Sequence, residues 1–186
     1  MKAQQKQKRK KGHSSAVAIL SLNGQANVDY LHRCQVDLER LDIYQPTDIN
    51  QSVALLLDLV AGSYYRVILL DSLIDLLVVP QQARQLQRNL SKVVRLLRTT
   101  HCSLICIGEQ SAPWLARWLH WDQLGPVRKA AALHIDFNVY EWLHEGGAWR
   151  GYRRTAIIRK TRWGIPGRQA AIDIEFNGTV KARSPW

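Results

Sequence analysis

Four short apolar runs punctuate the first 108 residues: AVAILSL (16–22), LDIY (41–44), YRVILLD (65–71) and CSLICIG (102–108). Runs of this length, bounded by polar or turn-forming residues, predict buried strands. Between them the apolar spacing changes to that of helices. VDYLHRC (28–34) predicts a short helix, and Asp48 can cap another through INQSVALLLDLVAG, which Gly62 closes. After Pro80, residues 81–100 carry Leu86, Leu90, Val93, Val94 and Leu97 at helical intervals, with basic residues on the other face. Strands that alternate with helices are joined by crossovers, and crossovers make parallel sheets. The expected class is α/β, a mostly parallel sheet flanked by helices.

The pattern changes after about residue 130. ALHIDFNVYEWL, YRRTAIIRK and QAAIDIEF contain alternating apolar and polar stretches, and Gly146-Gly147 marks a turn after the first. These predict antiparallel C-terminal strands that extend the sheet edge. Residues 1–15 are basic and poor in apolar side chains, which predicts a mobile tail or a partial helix. The expected division is that tail, one core domain over 16–180 and a short tail at 181–186.

Charge narrows the partner class. Of the net +11, residues 1–12 carry +6 and residues 150–186 carry +7, while the segment between them carries −2. A near-neutral body with two basic ends points to a polyanion, most often nucleic acid. A solubilising tail with a solvated basic face is the plainer alternative. No apolar run reaches membrane-spanning length, and no signal-peptide core follows the basic N-terminus. The three cysteines, Cys34, Cys102 and Cys106, form no disulfide framework and fit a reducing cytoplasm. Cys102 and Cys106 lie four apart on a predicted strand, hence on one face, and no second cluster completes a metal site beside His101. No Ser/His/Asp constellation stands out, so hydrolase chemistry is not supported.

The third apolar run ends on Asp71-Ser72. In phosphate-handling α/β proteins an acid at such a strand tip commonly holds Mg²⁺ or its water. Its usual companion is the glycine-rich phosphate cradle G-x-x-x-x-G-K-[ST]. These 186 residues contain no match to it.

The stretch VDLERLDIYQPTDINQSVALLLDLVAGSYYRVILLDSLIDLL resembles, in order and spacing, the "VDxxxLxxxQP…EQAL…LVxSGxxxxVVVDSVAAL" run of the RecA recombinase family. Downstream, SLICIGE resembles the family strand that ends in a nucleotide-sensing glutamine. IIRKTRWGIPGRQAAIDIEFNG resembles the family's "VVKNKxxxPxxxAxFxIxxG" run. The resemblance covers roughly residues 16–180. It implies a RecA-like core, a filament-forming strand-exchange protein, ATP and Mg²⁺ as cofactors, and single-stranded DNA as partner.

Carried over residue by residue, the resemblance puts Asp71 and Ser72 at the Mg²⁺ position and Asn27, Tyr30 and Phe176 on the adenine side. It puts Glu109 at the sensing glutamine, with Gln110 one residue away, and Asn23 at the catalytic glutamate. AVAILSL would be the family's second core strand, so the first strand, the cradle and most of the cradle's helix are expected to be missing. The family's second DNA-binding loop falls on 109–130, where Trp114, Trp118 and Trp121 accompany Arg117, Arg128 and Lys129. Such residues can stack bases and pair phosphates. The i, i+4, i+7 spacing of the tryptophans suits equally a helix packed on the body or on a partner. Lys160 and Arg162 match paired lysines that, in the family, reach the neighbouring subunit's nucleotide. With Arg153, Arg154 and Arg159 they form either a phosphate-binding face or a solvated edge strand. LIDLLVVPQQARQ (73–85) occupies the family's first DNA-loop region, and it is apolar.

Neutral Asn23 cannot act as a general base. Positioning and charge neutralisation supply nearly all of phosphoryl-transfer catalysis. The expected function is that of a DNA recombination or repair protein that binds single-stranded DNA or a recombinase filament, or self-associates, without its own ATP hydrolysis. Two alternatives stay open: a protein–protein adaptor on a RecA-like scaffold, or a fragment of an active DNA-dependent ATPase whose cradle is encoded elsewhere.

Overall fold

The structure, a computed structural model, describes residues 17–22, 24, 26–108 and 124–183. In chain order its elements are β1 (Val17–Ser21), α1 (Val28–Arg33), β2 (Leu41–Tyr44), α2 (Ser52–Ala61), β3 (Val67–Asp71), α3 (Leu73–Val78), α4 (Pro80–Thr100), β4 (Ser103–Cys106), α5 (Gly125–Ala130), β5 (Leu133–Glu145), β6 (Ala148–Thr161), β7 (Gln169–Glu175) and β8 (Val180–Arg183). They fall into two compact units. One comprises residues up to 26 together with 37–111, the other residues 27–36 together with those from 112 onward.

In the first unit β1 to β4 form a parallel sheet in the order β2-β1-β3-β4. The register sets Ala18 beside Ile68 and Leu20 beside Leu70 on one face, and all four are buried. Val53, Leu56, Leu59 and Val60 of α2, Leu73, Leu76 and Leu77 of α3, and Leu86 and Val93 of α4 complete this core. Each fully buried side chain of this size contributes about 1.5–3 kcal/mol of transfer free energy. Helix α4 packs against both α2 and α3. The other face of the sheet is less covered, with Val17, Val67 and Leu69 half-buried and Ile105 exposed.

One polar residue sits at the junction of α2 and α4. Helix α2 has no side-chain cap of its own at Gln51, so its first amides need other acceptors. Gln82 of α4, fully buried, supplies one. Its Oε1 accepts from the Val53 amide (3.4 Å), and its Nε2 donates to the Asn50 carbonyl (2.8 Å) and to Gln85 Oε1 (3.2 Å). Asp48, expected to cap α2, instead caps the 3-10 turn Ile49–Gln51 that leads into it, accepting from the Asn50 amide at 2.8 Å. The region 73–85, matched to a DNA-binding loop, is largely helical. Leu73, Leu76 and Leu77 recur on one buried face, and Pro80 opens the first turn of α4.

In the second unit β5 to β8 form an antiparallel sheet in sequence order. Among the described residues these strands pair only with one another, so two four-stranded sheets form where one extended sheet was expected. Within this sheet β6 is hydrogen-bonded along both edges by its neighbours β5 and β7. Gly146 (φ 58°) and Gly147 (φ 82°) turn the β5–β6 hairpin in the conformation that glycine adopts without strain. Register shifts between His134 and Ile135, Asn138 and Tyr140, and Leu143 and His144 interrupt the ladder and increase its twist. Among the described residues no helix is long and apolar enough to cross a membrane.

Candidate functional site

The strand tip at Asp71 is fixed from both sides by backbone bonds. The Asp71 carbonyl accepts from the Leu22 amide at 2.6 Å, Ile107 N donates to the Leu70 carbonyl at 2.9 Å, and Leu73 N donates to the Ile107 carbonyl at 2.7 Å. The Asp71–Ser72 peptide is cis. The buried Ser72 hydroxyl accepts from the Ile74 amide at 3.2 Å and so caps α3. Asp71 lies half-buried at the end of β3, in register with Ser21 at the end of β1. Asn23 and Glu109, the other positions matched to nucleotide chemistry, lie outside the described residues.

Asn27, Tyr30 and Phe176 all belong to the second unit. Asn27 Oδ1 caps α1 by accepting from the Tyr30 amide at 2.8 Å. The Tyr30 ring is exposed and lies 5.8 Å from the Arg33 guanidinium carbon. A hydrogen bond with the Cys34 side chain, followed by burial, holds the Tyr30 hydroxyl above its ordinary range, and Tyr152 pushes it the same way. Tyr152 lies 6.5 Å from Trp142 between ring centroids, and Trp142 lies 6.2 Å from Phe176 and 5.0 Å from Trp149. His144 stands 3.8 Å from Trp149. The result is a series of rings, of which Trp142, Trp149 and Phe176 are exposed. Such faces can stack on planar ligands. Trp142, Trp149 and Tyr152 were not singled out in the sequence. The signal was partly present: counting outward from Gly146-Gly147 sets His144 opposite Trp149, but it sets Trp142 opposite Gly151, and only the register shift between Leu143 and His144 brings Trp142 opposite Tyr152.

The basic residues of the sheet are largely committed to internal partners. Glu141, Arg153, Asp173 and Lys181 lie in one cross-strand row. Arg153 donates to Asp173 (2.6 and 3.1 Å) and to Glu141 (3.2 Å), and the Asp173 hydrogen bonds raise its pKa most. Arg150 bridges Glu145 and Glu175, the latter at 3.0 Å, and both carboxylates raise its pKa. Lys181 reaches Glu175 at 2.8 Å and pulls that carboxyl below its usual range, against the opposing effect of burial. Arg159 donates to Asp136 at 2.7 Å. Arg154 lies 5.8 Å from the Tyr152 ring.

Lys160 and Arg162 point at the end of α5. Lys160 Nζ donates to the carbonyls of Arg128 (2.9 Å) and Lys129 (2.6 Å), and Arg162 donates to that of Ala130 at 3.5 Å. Cations at a helix C-terminus satisfy orphan carbonyls and complement the dipole. The structure therefore brings four sequence-selected residues together: Arg128 and Lys129 through their backbone, Lys160 and Arg162 through their side chains. Trp114, Arg117, Trp118 and Trp121 lie outside the described residues. No cluster of His, Cys, Asp and Glu suited to a metal ion occurs among the described residues.

No family model matches the chain, and no curated protein matches it. A solved structure does: the crystal structure of the RadB recombinase, 16% identical, with the match covering 90% of this chain and 78% of that one at a TM-score of 0.58. At that identity the likeness establishes a shared fold. The chain has a RecA-like fold, an α/β core with a parallel sheet, flanking helices and antiparallel strands.

Proposed function

We propose that this chain is a RecA-like DNA recombination or repair protein that binds single-stranded DNA without hydrolysing ATP itself. The observation that carries the reading is the fold, shared with the RadB recombinase over 90% of the chain. The uneven charge supports it, because basic ends on a near-neutral body suit a polyanion. Trp114, Arg117 and Trp118, with Arg128 and Lys129, are the proposed DNA-contacting group. A recombinase filament or a second copy of the chain is the proposed protein partner, and the cytoplasm the proposed compartment.

ATP and Mg²⁺ fit poorly to what the chain offers. The Ser72 hydroxyl caps α3, and Asp71 is the carboxylate at the end of β3. The 186 residues hold no phosphate cradle, and Mg²⁺ in such sites depends on the nucleotide's phosphates for its remaining ligands. Asn23 offers no general base.

Fluorescence anisotropy of a labelled single-stranded oligonucleotide at 50 and 200 mM salt tests the reading. Binding is expected at low salt, weakening by about 10-fold or more at high salt. Phosphate release from ATP is expected to stay at background. Absence of binding at 50 mM salt, or binding indifferent to salt, overturns the proposal.

A further inference from the structure

Helix α4 carries five cations, Arg84, Arg88, Lys92, Arg95 and Arg98, and no acidic residue. Their spacing of four, four, three and three residues confines them to an arc of about 120° at 3.6 residues per turn. They span about 21 Å along the axis at 1.5 Å per residue. All five are exposed, and none makes an ion pair or a side-chain hydrogen bond among the described residues. This separates them from Arg150, Arg153 and Arg159, whose charge is met inside the sheet. Like charges at such intervals repel one another by a few tenths of a kcal/mol per pair, and no ion pair among the described residues offsets that.

We infer that this stripe is a binding site for the phosphate backbone of single-stranded nucleic acid. The inference rests on the proposed function and supplies it with a surface among the described residues. The helix itself selects the ligand class. A basic amphipathic helix that binds membranes inserts its apolar face among the headgroups. In α4 that face is already used, since Leu86 and Val93 are buried and α2 and α3 pack on the helix. A protein partner would need an apolar or aromatic anchor at the centre of the interface. Besides the cations, the exposed residues of α4 are Pro80, Gln81, Gln87, Ser91 and Thr99, and α4 exposes no large hydrophobic residue. What remains is a row of charges and hydrogen-bonding groups that reads phosphates and no bases.

The test is a salt titration of oligo-dT binding by the full chain and by the triple variant Arg88→Gln, Lys92→Gln, Arg95→Gln. Glutamine keeps helix propensity, and a thermal midpoint near the parent's checks the fold. Losing three phosphate contacts at about 0.7 per contact should flatten the log–log salt slope by about two and weaken binding about 10- to 100-fold at 100 mM salt. If the triple variant is less stable, the single variants Arg88→Gln and Arg95→Gln should each flatten the slope by about 0.7. A parent that binds DNA and a variant with an unchanged slope overturn the stripe while leaving the proposed function intact. A parent that binds no DNA at 50 mM salt overturns both. Charge-dependent capture of phosphatidylserine vesicles by the parent, lost in the variant while DNA binding is kept, assigns the stripe to membrane and overturns the inference.

Discussion

Single residues show where burial and hydrogen bonding decide the outcome. Gln82 occupies a core position because it satisfies backbone groups at the start of α2, 29 and 32 residues away in sequence. Gln82→Leu keeps the volume and leaves the Val53 amide and the Asn50 carbonyl without this partner. The expected cost is about 1–3 kcal/mol, read as a lower urea midpoint at unchanged slope. No sequence pattern announces such a contact, since the helical periodicity of α4 treats the position as a polar interruption. Glu175 gives a pH signature. Lys181 lowers its pKa in the folded state, so its contribution is present above the unfolded value of about 4.3. It fades as pH falls through the lower folded value. Thermal midpoints between pH 3 and 6 should fall on acidification, and Glu175→Gln should flatten that limb. An identical limb in the variant would show that Glu175 is not responsible.

Elements were legible where they announce themselves by period and punctuation. The four apolar runs became the four parallel strands, and α4 ends at Thr100 with His101 in the left-handed region. The Gly146-Gly147 turn was readable because both positions take positive φ. That turn should accept Gly146→Asn with little loss, Asn being the residue most at home there. Gly178 behaves differently: φ is +87° and a Cβ would run into the Cys34 side chain. Gly178→Ala should therefore cost about 1–2 kcal/mol or more, a difference that paired thermal melts of the two variants resolve. What periodicity could not show is which strands share a sheet. Pairing partners are set by three-dimensional ladders, and the long β5–β6 hairpin satisfies its own. The roles of Lys160 and Arg162 were hidden for the same reason, because the carbonyls they meet lie about 30 residues earlier.

For the whole molecule, fold and chemistry separate. The order of strands and helices follows a RecA-like plan, and the likeness to the RadB recombinase spans most of the chain. The groups that would couple such a fold to nucleotide hydrolysis are thin: Asp71 stands at the strand tip, Ser72 serves as a helix cap, and no cradle occurs in the sequence. The charge that would hold a polyanion is plentiful, and on α4 it meets no ion-pair partner among the described residues. A fold does not fix a function, so the account stands or falls on whether DNA binding has been uncoupled from the nucleotide. The most direct measurement is the affinity of the full chain for labelled single-stranded DNA, with and without ATP and Mg²⁺ at constant ionic strength. Salt-dependent binding of the same affinity in both conditions is expected. Binding that requires ATP, or that tightens many-fold when ATP is added, would contradict it.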